Sequence, residues 1–209
     1  MSIGILGSKA IMPMVLLYRG VIMMAKVKVP YGRIEVVCGC MFSGKSTELI
    51  RRIEVARHAG QKVQVFNSTL DKRYARKGIA THDLVKIDAT PISKAEEILA
   101  LVEKDTEVIA LDEVNFFTED IVNVAVTLAQ QGKRVICCGL DMDYQGVPFG
   151  STAKLLAVAD SVLKLSARCV VCGKPARRTQ RTAKVKSRIY VGGADDYEAR
   201  CADCHEPNV

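Results

Sequence analysis

From about Arg33 onward, apolar positions follow two alternating rhythms. Short runs such as RIEVVC, KVQVFN, EVIALDE, KRVICCGL and SVLKLS alternate or stay apolar over strand-like lengths and are rich in β-branched residues. The segments between them carry helical spacing. In STELIRRIEVARHAG, Leu49, Ile53 and Ala56 share one face and Gly60 is a natural stop. TPISKAEEILALVEK predicts a helix with the stripe Ile92, Ala95, Leu99 and Val102, and with two competing starts: Thr90 before Pro91, or a Ser93/Glu96 capping box. TEDIVNVAVTLAQQG turns Ile121, Val124, Ala125 and Leu128 inward, with Thr118 as its cap and acids in the first turn. STAKLLAVAD reads as a short helix. Such alternation predicts an α/β fold, with a mainly parallel sheet covered by helices on both faces. Ligands then gather at the carboxyl ends of the strands.

Composition narrows the picture. The length of 209 residues allows one ordinary domain, or one with a small appendage. Hydrophobic residues at 49% and charged residues at 25% favour a globular chain with a sizeable core over a disordered one. The formal charge of +7 suits anionic ligands without implying nucleic acid. No apolar run reaches the roughly 20 residues of a membrane-spanning helix, so no membrane partner is expected. Residues 1–32 stand apart. They hold a short apolar patch broken by Pro13 and Gly20, with Met23 and Met24 just before the first confident strand. They lack a charged start and a small-residue cleavage site, so a disordered extension or a misassigned start is expected, and a cytoplasmic protein.

The eight cysteines fall into two groups. Cys38, Cys40, Cys137 and Cys138 lie in or beside apolar strands and read as buried small hydrophobes. Cys169, Cys172, Cys201 and Cys204 form two C-x₂-C knuckles separated by 28 residues, which favours structural zinc over disulfides. The long gap suggests a metal that staples the base of a loop, with His205 a competing fourth ligand beside Cys204.

One stretch carries phosphate chemistry. CGCMFSGKST supplies a glycine, four residues, then Gly-Lys-Ser, between a strand and a helix. Gly39 and Gly44 let the backbone N–H groups of Cys40, Met41, Phe42, Ser43 and Thr47 approach a polyphosphate closely. Lys45 would reach the β- and γ-phosphates, and the Ser46 hydroxyl would ligate Mg²⁺. The run EVIALDE closes in two acids: Asp112 suits the metal side of the site, and Glu113 could take a proton from a nucleophile. The pair alone does not decide between ATP hydrolysis and phosphoryl transfer.

Taken together, CGCMFSGKSTELIRR, DKRY, THD, LDEVNFF, GLDMDYQGVPFG, the cysteine pairs and VGGADDYEARC resemble, in that order, the thymidine kinase family of the zinc-containing cellular and bacterial type. The match runs from about Arg33 to nearly the end of the chain. The resemblance implies a RecA-like P-loop core over 33–167, a small zinc-ribbon or lasso domain over 168–209, and a homotetramer. It further implies transfer of phosphate from ATP to the 5′-hydroxyl of thymidine, and of deoxyuridine, with dTTP as feedback inhibitor and no nucleic-acid partner. Glu113 becomes the general base. Asp71 and Arg73 become a polar pair near the transfer site, and His82 a structural residue. Where the family usually has Lys and Pro or Ala before DKRY, this chain has NSTL, which removes any carried-over role from Asn67. The base pocket implied by the family draws on Met41, Phe116, Leu140, Tyr144 and Tyr197, with Thr179 nearby. The backbone around Val191, Gly192 and Gly193 would face the base edge. A competing reading uses the basic, acid-free run from Lys174 to Arg188: a P-loop ATPase with a nucleic-acid-binding zinc ribbon. Against it, that run interleaves no stacking aromatics. A nucleotide-binding regulator without activity is disfavoured because Lys45, Ser46, Asp112 and Glu113 are all present.

Overall fold

A computed structural model describes residues 15–18, 21–24, 30–70, 79–80, 86–185 and 187–207. The chain divides into two compact units, 1–30 and 31–209. In the first, Val15–Tyr18 (β1) and Val21–Met24 (β2) pair antiparallel, with Val15 opposite Met24.

The second unit is built on a six-stranded sheet. Its strands are Arg33–Gly39 (β3), Val63–Ser68 (β4), Thr90–Ile92 (β7), Val108–Asp112 (β8), Arg134–Gly139 (β9) and Ser161–Leu165 (β10). The order is β10-β3-β9-β8-β4-β7, and every pairing is parallel, as the alternation predicts. Ile79–Ala80 (β5) and Lys86–Ile87 (β6) form a separate small antiparallel pair. Beyond the sheet, Ala167–Arg168 (β11) pairs with Pro175–Ala176 (β12), and Arg178–Arg181 (β13) pairs with Tyr197–Arg200 (β14).

Strand periodicity explains why the central strands read as continuous apolar runs. Ile109, Leu111, Val135 and Cys137 point into the core beneath Asp120–Gln130 (α3) and Thr152–Val158 (α4). Their neighbours Val108, Ala110, Ile136 and Cys138 point into a second core with Leu49, Ile50, Ile53 and Ala56 of Lys45–His58 (α1). Both faces of a parallel sheet are thereby buried. Burial pushes the Cys137 thiol up to about 12; burial first, then the charge of Asp141, raises Cys38 to about 11.

Two local expectations need correction. The long helix predicted over residues 90–104 shrinks to Glu97–Leu101 (α2), because Thr90–Ile92 joins β4 as an edge strand. Ser93 Oγ and Lys94 N both donate to Glu97 Oε1 at 2.8 Å, so the reciprocal partner is Glu97 rather than Glu96. Of the predicted stripe, Ile92 and Ala95 are buried, but Ile98 takes the inward place assigned to Leu99, which stays exposed. Thr118 does not cap α3 with its side chain; its hydroxyl donates to Asp120 Oδ2 at 2.9 Å.

At the opposite end of the sheet from the strands' carboxyl termini, Glu35 is buried among Arg33, Arg52 and Arg134, at 2.6–2.9 Å. Burial alone would raise its pKa, but hydrogen bonds and charge from Arg134, Arg33 and Arg52 outweigh it and hold the carboxyl at about 2, against an ordinary 4.5. A depressed carboxylate stabilises the fold above its unfolded pKa, and that contribution fades as pH falls toward the folded value. Glu35→Gln should therefore cost roughly 2–3 kcal/mol at pH 7. Denaturant unfolding of both proteins from pH 7 to pH 2 should show the gap closing between about 4.5 and about 2; a pH-independent gap would contradict this linkage.

Candidate active site

The phosphate loop follows β3 directly. Gly39 has φ 146°, and a side chain there would put Cβ 2.5 Å from Leu165 O, so only glycine fits beside β10. Gly44, at φ 85°, turns the chain into α1. Ser43 Oγ donates to Cys40 O at 2.8 Å, and Lys45 Nζ donates to the same carbonyl at 2.7 Å. This bond folds the lysine ammonium over the loop that would receive phosphates.

β9 lies between β3 and β8, so Gly39, Gly139 and Asp112 end neighbouring strands on one edge of the sheet. Asp112 is buried, and its Oδ1 accepts the Glu113 N–H at 2.9 Å. Glu113 has φ 52° and ψ 43°, a left-handed conformation that costs a residue with a side chain of order 1 kcal/mol or more. Beneath them, the Cys138 thiol is pushed well above its usual range, by burial first and then by the Asp112 charge, with Lys45 opposing. Asp112, Glu113 and Lys45 thus all act electrostatically on one buried atom.

A pocket open to solvent adjoins this edge. It gathers Met41, Phe116, Leu140, Tyr144, Thr179, Val191, Gly192 and Tyr197 from the residues expected to surround a base. Gly193 is not in its wall; its N–H donates to Asp196 Oδ2 at 3.1 Å. At Gly192 a Cβ would meet the same carboxylate oxygen at 2.5 Å, so Asp196 explains the need for glycine there. Phe116 and Phe149 meet edge to face at 5.9 Å. Met41 N donates to Thr179 Oγ1 at 3.0 Å, which fastens the phosphate loop to β13. Asp71, Arg73 and His82 lie outside the described residues.

Sequence reasoning missed several members of the wall: Met142, Asp143, Phe149, Arg181 and Arg188. It also missed Asn115, buried behind the pocket, whose Oδ1 accepts the Leu140 N–H at 2.8 Å and ties the Glu113 turn to the loop after β9. A polar residue inside the apolar run VNFF was the available signal for Asn115. Nothing local distinguishes Arg181 from the other arginines of its basic run.

Cys169, Cys172, Cys201 and Cys204 bring their sulfurs within 4.8 Å of one another. Tetrahedral zinc with bonds of about 2.3 Å needs sulfurs about 3.8 Å apart, so the quartet fits the ion. Burial would raise the Cys169 thiol, but backbone N–H groups of Cys201, Cys172 and Val171 bring it to about 6. Hydrogen bonding with Cys201 and Cys172 pushes Cys204 up to about 12. One thiolate forms readily and its neighbours resist, a conflict that a dication removes. His205, the competing fourth ligand, is not part of this cluster. Its Nε2 lies 2.8 Å from Tyr144 O, so the residue supports the pocket wall.

A Gly-rich loop entering a helix, an Asp–Glu pair on the same sheet edge and an adjoining aromatic pocket define a P-loop phosphotransferase. Its sequence matches the model of the thymidine kinase family over residues 32–205. It is 51% identical over 178 residues to a thymidine kinase from Bdellovibrio bacteriovorus, covering 85% of this chain and 87% of that one. The chain belongs to the thymidine kinase family. Among solved structures, the flagellar accessory protein FlaH from Methanocaldococcus jannaschii aligns with TM-score 0.47 and 14% identity, over 70% of this chain and 76% of that one.

The Met41–Thr179 bond offers a direct check. Thr179→Val keeps the shape but leaves the Met41 N–H buried without its acceptor, at a cost of about 1–3 kcal/mol. Thr179→Ser should recover most of it. Thermal unfolding of the three proteins measures this; equal midpoints for wild type and Thr179→Val would remove the bond from the stability of the loop.

Proposed function

We propose that this enzyme transfers the γ-phosphate of ATP to the 5′-hydroxyl of thymidine, giving dTMP, with Glu113 as general base and the aromatic pocket as the base site. One observation carries the reading: Met41 belongs at once to the phosphate loop and to the pocket wall, so a nucleoside in the pocket is next to the phosphates. The Glu113 carboxylate takes the hydroxyl proton. The 5′-oxygen then bonds to the γ-phosphorus, and the bond to the bridging oxygen breaks, its electron pair leaving with ADP. Backbone N–H groups of residues 39–47 and the Lys45 ammonium hold the phosphates; Lys45 exchanges the Cys40 carbonyl for a phosphate oxygen. Ser46 and Asp112 would hold Mg²⁺, which neutralises charge across the β- and γ-phosphates when bound.

Other parts follow the family resemblance. Asp71 and Arg73 border the transfer site, deoxyuridine is a further acceptor, and dTTP inhibits by occupying the site of its own precursor. Residues 168–209 act as a zinc-held module. A homotetramer is supported by β10, an edge strand with Val162 about half exposed. Among the described residues no helix is long and apolar enough to cross a membrane, which is compatible with a cytoplasmic enzyme.

The nucleic-acid reading loses part of its support inside the basic run. Arg181 is buried, Arg178 lies 3.2 Å from Met142 Sδ, and Arg188 binds the buried Asp143 at 2.8–2.9 Å, while Lys174, Arg177 and Lys184 stay exposed.

Glu113→Gln should retain ATP and thymidine binding while kcat falls about 10²–10⁴-fold. Titration of both ligands beside a coupled assay tests this, and more than half the native kcat would exclude Glu113 as the base. Cys169→Ser with Cys172→Ser should lose zinc and raise the thymidine KM, leaving ATP affinity largely intact, because the base-facing segment lies between the cysteine pairs and the phosphate loop does not. Zinc analysis and paired titrations check it; normal thymidine binding without metal would refute the staple.

A further inference from the structure

Strand alternation along β13 puts Thr179 and Arg181 on one face, with Arg181 directly opposite Tyr197 of β14. Thr179 reaches the phosphate loop; Arg181 turns toward the pocket, which it lines. Only 2% of Arg181 is exposed, an unusual setting for a cation. Among the described residues its hydrogen-bond partners are carbonyls, not carboxylates: NH1 donates to Val185 O at 3.2 Å and Ser187 O at 2.6 Å, and NH2 donates to Arg188 O at 2.8 Å. The guanidinium carbon sits 3.7 Å from the centre of the Tyr144 ring and 5.5 Å from that of Tyr197. Its Nε is buried with no hydrogen-bond partner.

We infer that Arg181 is the positioning residue that shapes Val185 and residues 187–191 into a base-contacting wall before any nucleoside arrives. The described residues of this segment include no strand or helix, so no ladder fixes their backbone. Three of its carbonyls instead converge on one planar fork. Burying a charge without a counter-charge is costly, and the carbonyl dipoles and ring faces are what offset it. A lysine could not reproduce this, since an ammonium is a point charge with neither the fork nor the flat face that stacks on Tyr144. The stack is held from its other side as well. The carbonyl of Tyr144 is bonded to His205 Nε2, next to the metal ligand Cys204, so Tyr144 links the zinc cluster to the arginine. Arg188, drawn to Asp143, closes the same segment onto the loop after β9.

This rests on the pocket being the thymidine site, and two measurements separate the claims. In zinc-loaded Arg181→Lys and Arg181→Met, the thymidine KM should rise about tenfold or more, with kcat changed less than about threefold and ATP affinity kept, because lost preorganisation weakens binding rather than chemistry. Arg181→Lys should not rescue Arg181→Met. A thymidine KM within about twofold of wild type in zinc-loaded variants would overturn the inference. Limited trypsin digestion of the wild-type holoenzyme decides the matter even if the variants do not fold. Cleavage after Arg188, inside the wall, should be slow without thymidine and slowed little further by its addition. Fast cleavage there that thymidine abolishes would mean the nucleoside, not Arg181, orders the segment, and would overturn the inference. Thymidine that binds without altering amide hydrogen exchange at Met41, Leu140, Tyr144 or any other pocket amide would refute the pocket itself, and the role of Arg181 with it.

Discussion

The parallel register of three strands underlies everything that happens at the site. β3 pairs with β9, and β9 with β8, so Cys38 lies beside Gly139 and Leu111 beside Cys137. Parallel pairing sends all three chains out of the sheet at one edge, and their loops have no choice but to meet there. A slip of one residue in β8 would turn Asp112 to the other face and put Leu111 where a carboxylate belongs. The register is secured by the two buried cores, which claim alternate residues of each strand. Packing far from the phosphates thus fixes the chemistry at the edge.

The cysteine-bearing segment is joined to that edge by polar bonds and a small apolar cluster. Cys40 packs with Cys169, Ala176, Ala199 and Cys201, and its thiol donates to Ala176 O at 3.3 Å. With Met41 bonded to Thr179, consecutive residues of the phosphate loop are held by β12 and β13. The phosphate loop and the aromatic pocket are therefore mechanically continuous. The cysteine cluster, β12, β13 and the phosphate loop are joined by short contacts in place of a linker.

Much of this was legible in the chain. The phosphate loop, the acids closing β8 and the cysteine quartet depend on local spacing, and spacing is what a sequence displays. The inward face of α3 was equally plain, since Ile121, Val124, Ala125 and Leu128 are all buried. The region 90–101 misled because Thr90–Ile92 could extend either a helical stripe or a sheet, and the choice was made by the distant edge of β4. Arg181, Asp143 and Asn115 were hidden for a related reason: each derives its meaning from partners far away in the chain, and an arginine among arginines carries no mark of burial. His205 looked like a metal ligand by adjacency, while its ring is turned to a carbonyl 61 residues away.

The buried cysteines of the sheet have a practical consequence. Cys38, Cys137 and Cys138 are sealed in the two cores with their thiols held protonated far above neutral pH. Thiol reagents attack the thiolate, so these three are silent toward them in the folded enzyme. The quartet differs: Cys172 is exposed, although its own thiol is raised, and Cys169, which ionises at about 6, is buried. Alkylation of Cys172 at mildly alkaline pH consequently reads out metal occupancy on the native sequence, because the fourth remaining cysteine, Cys40, is also buried with a raised thiol.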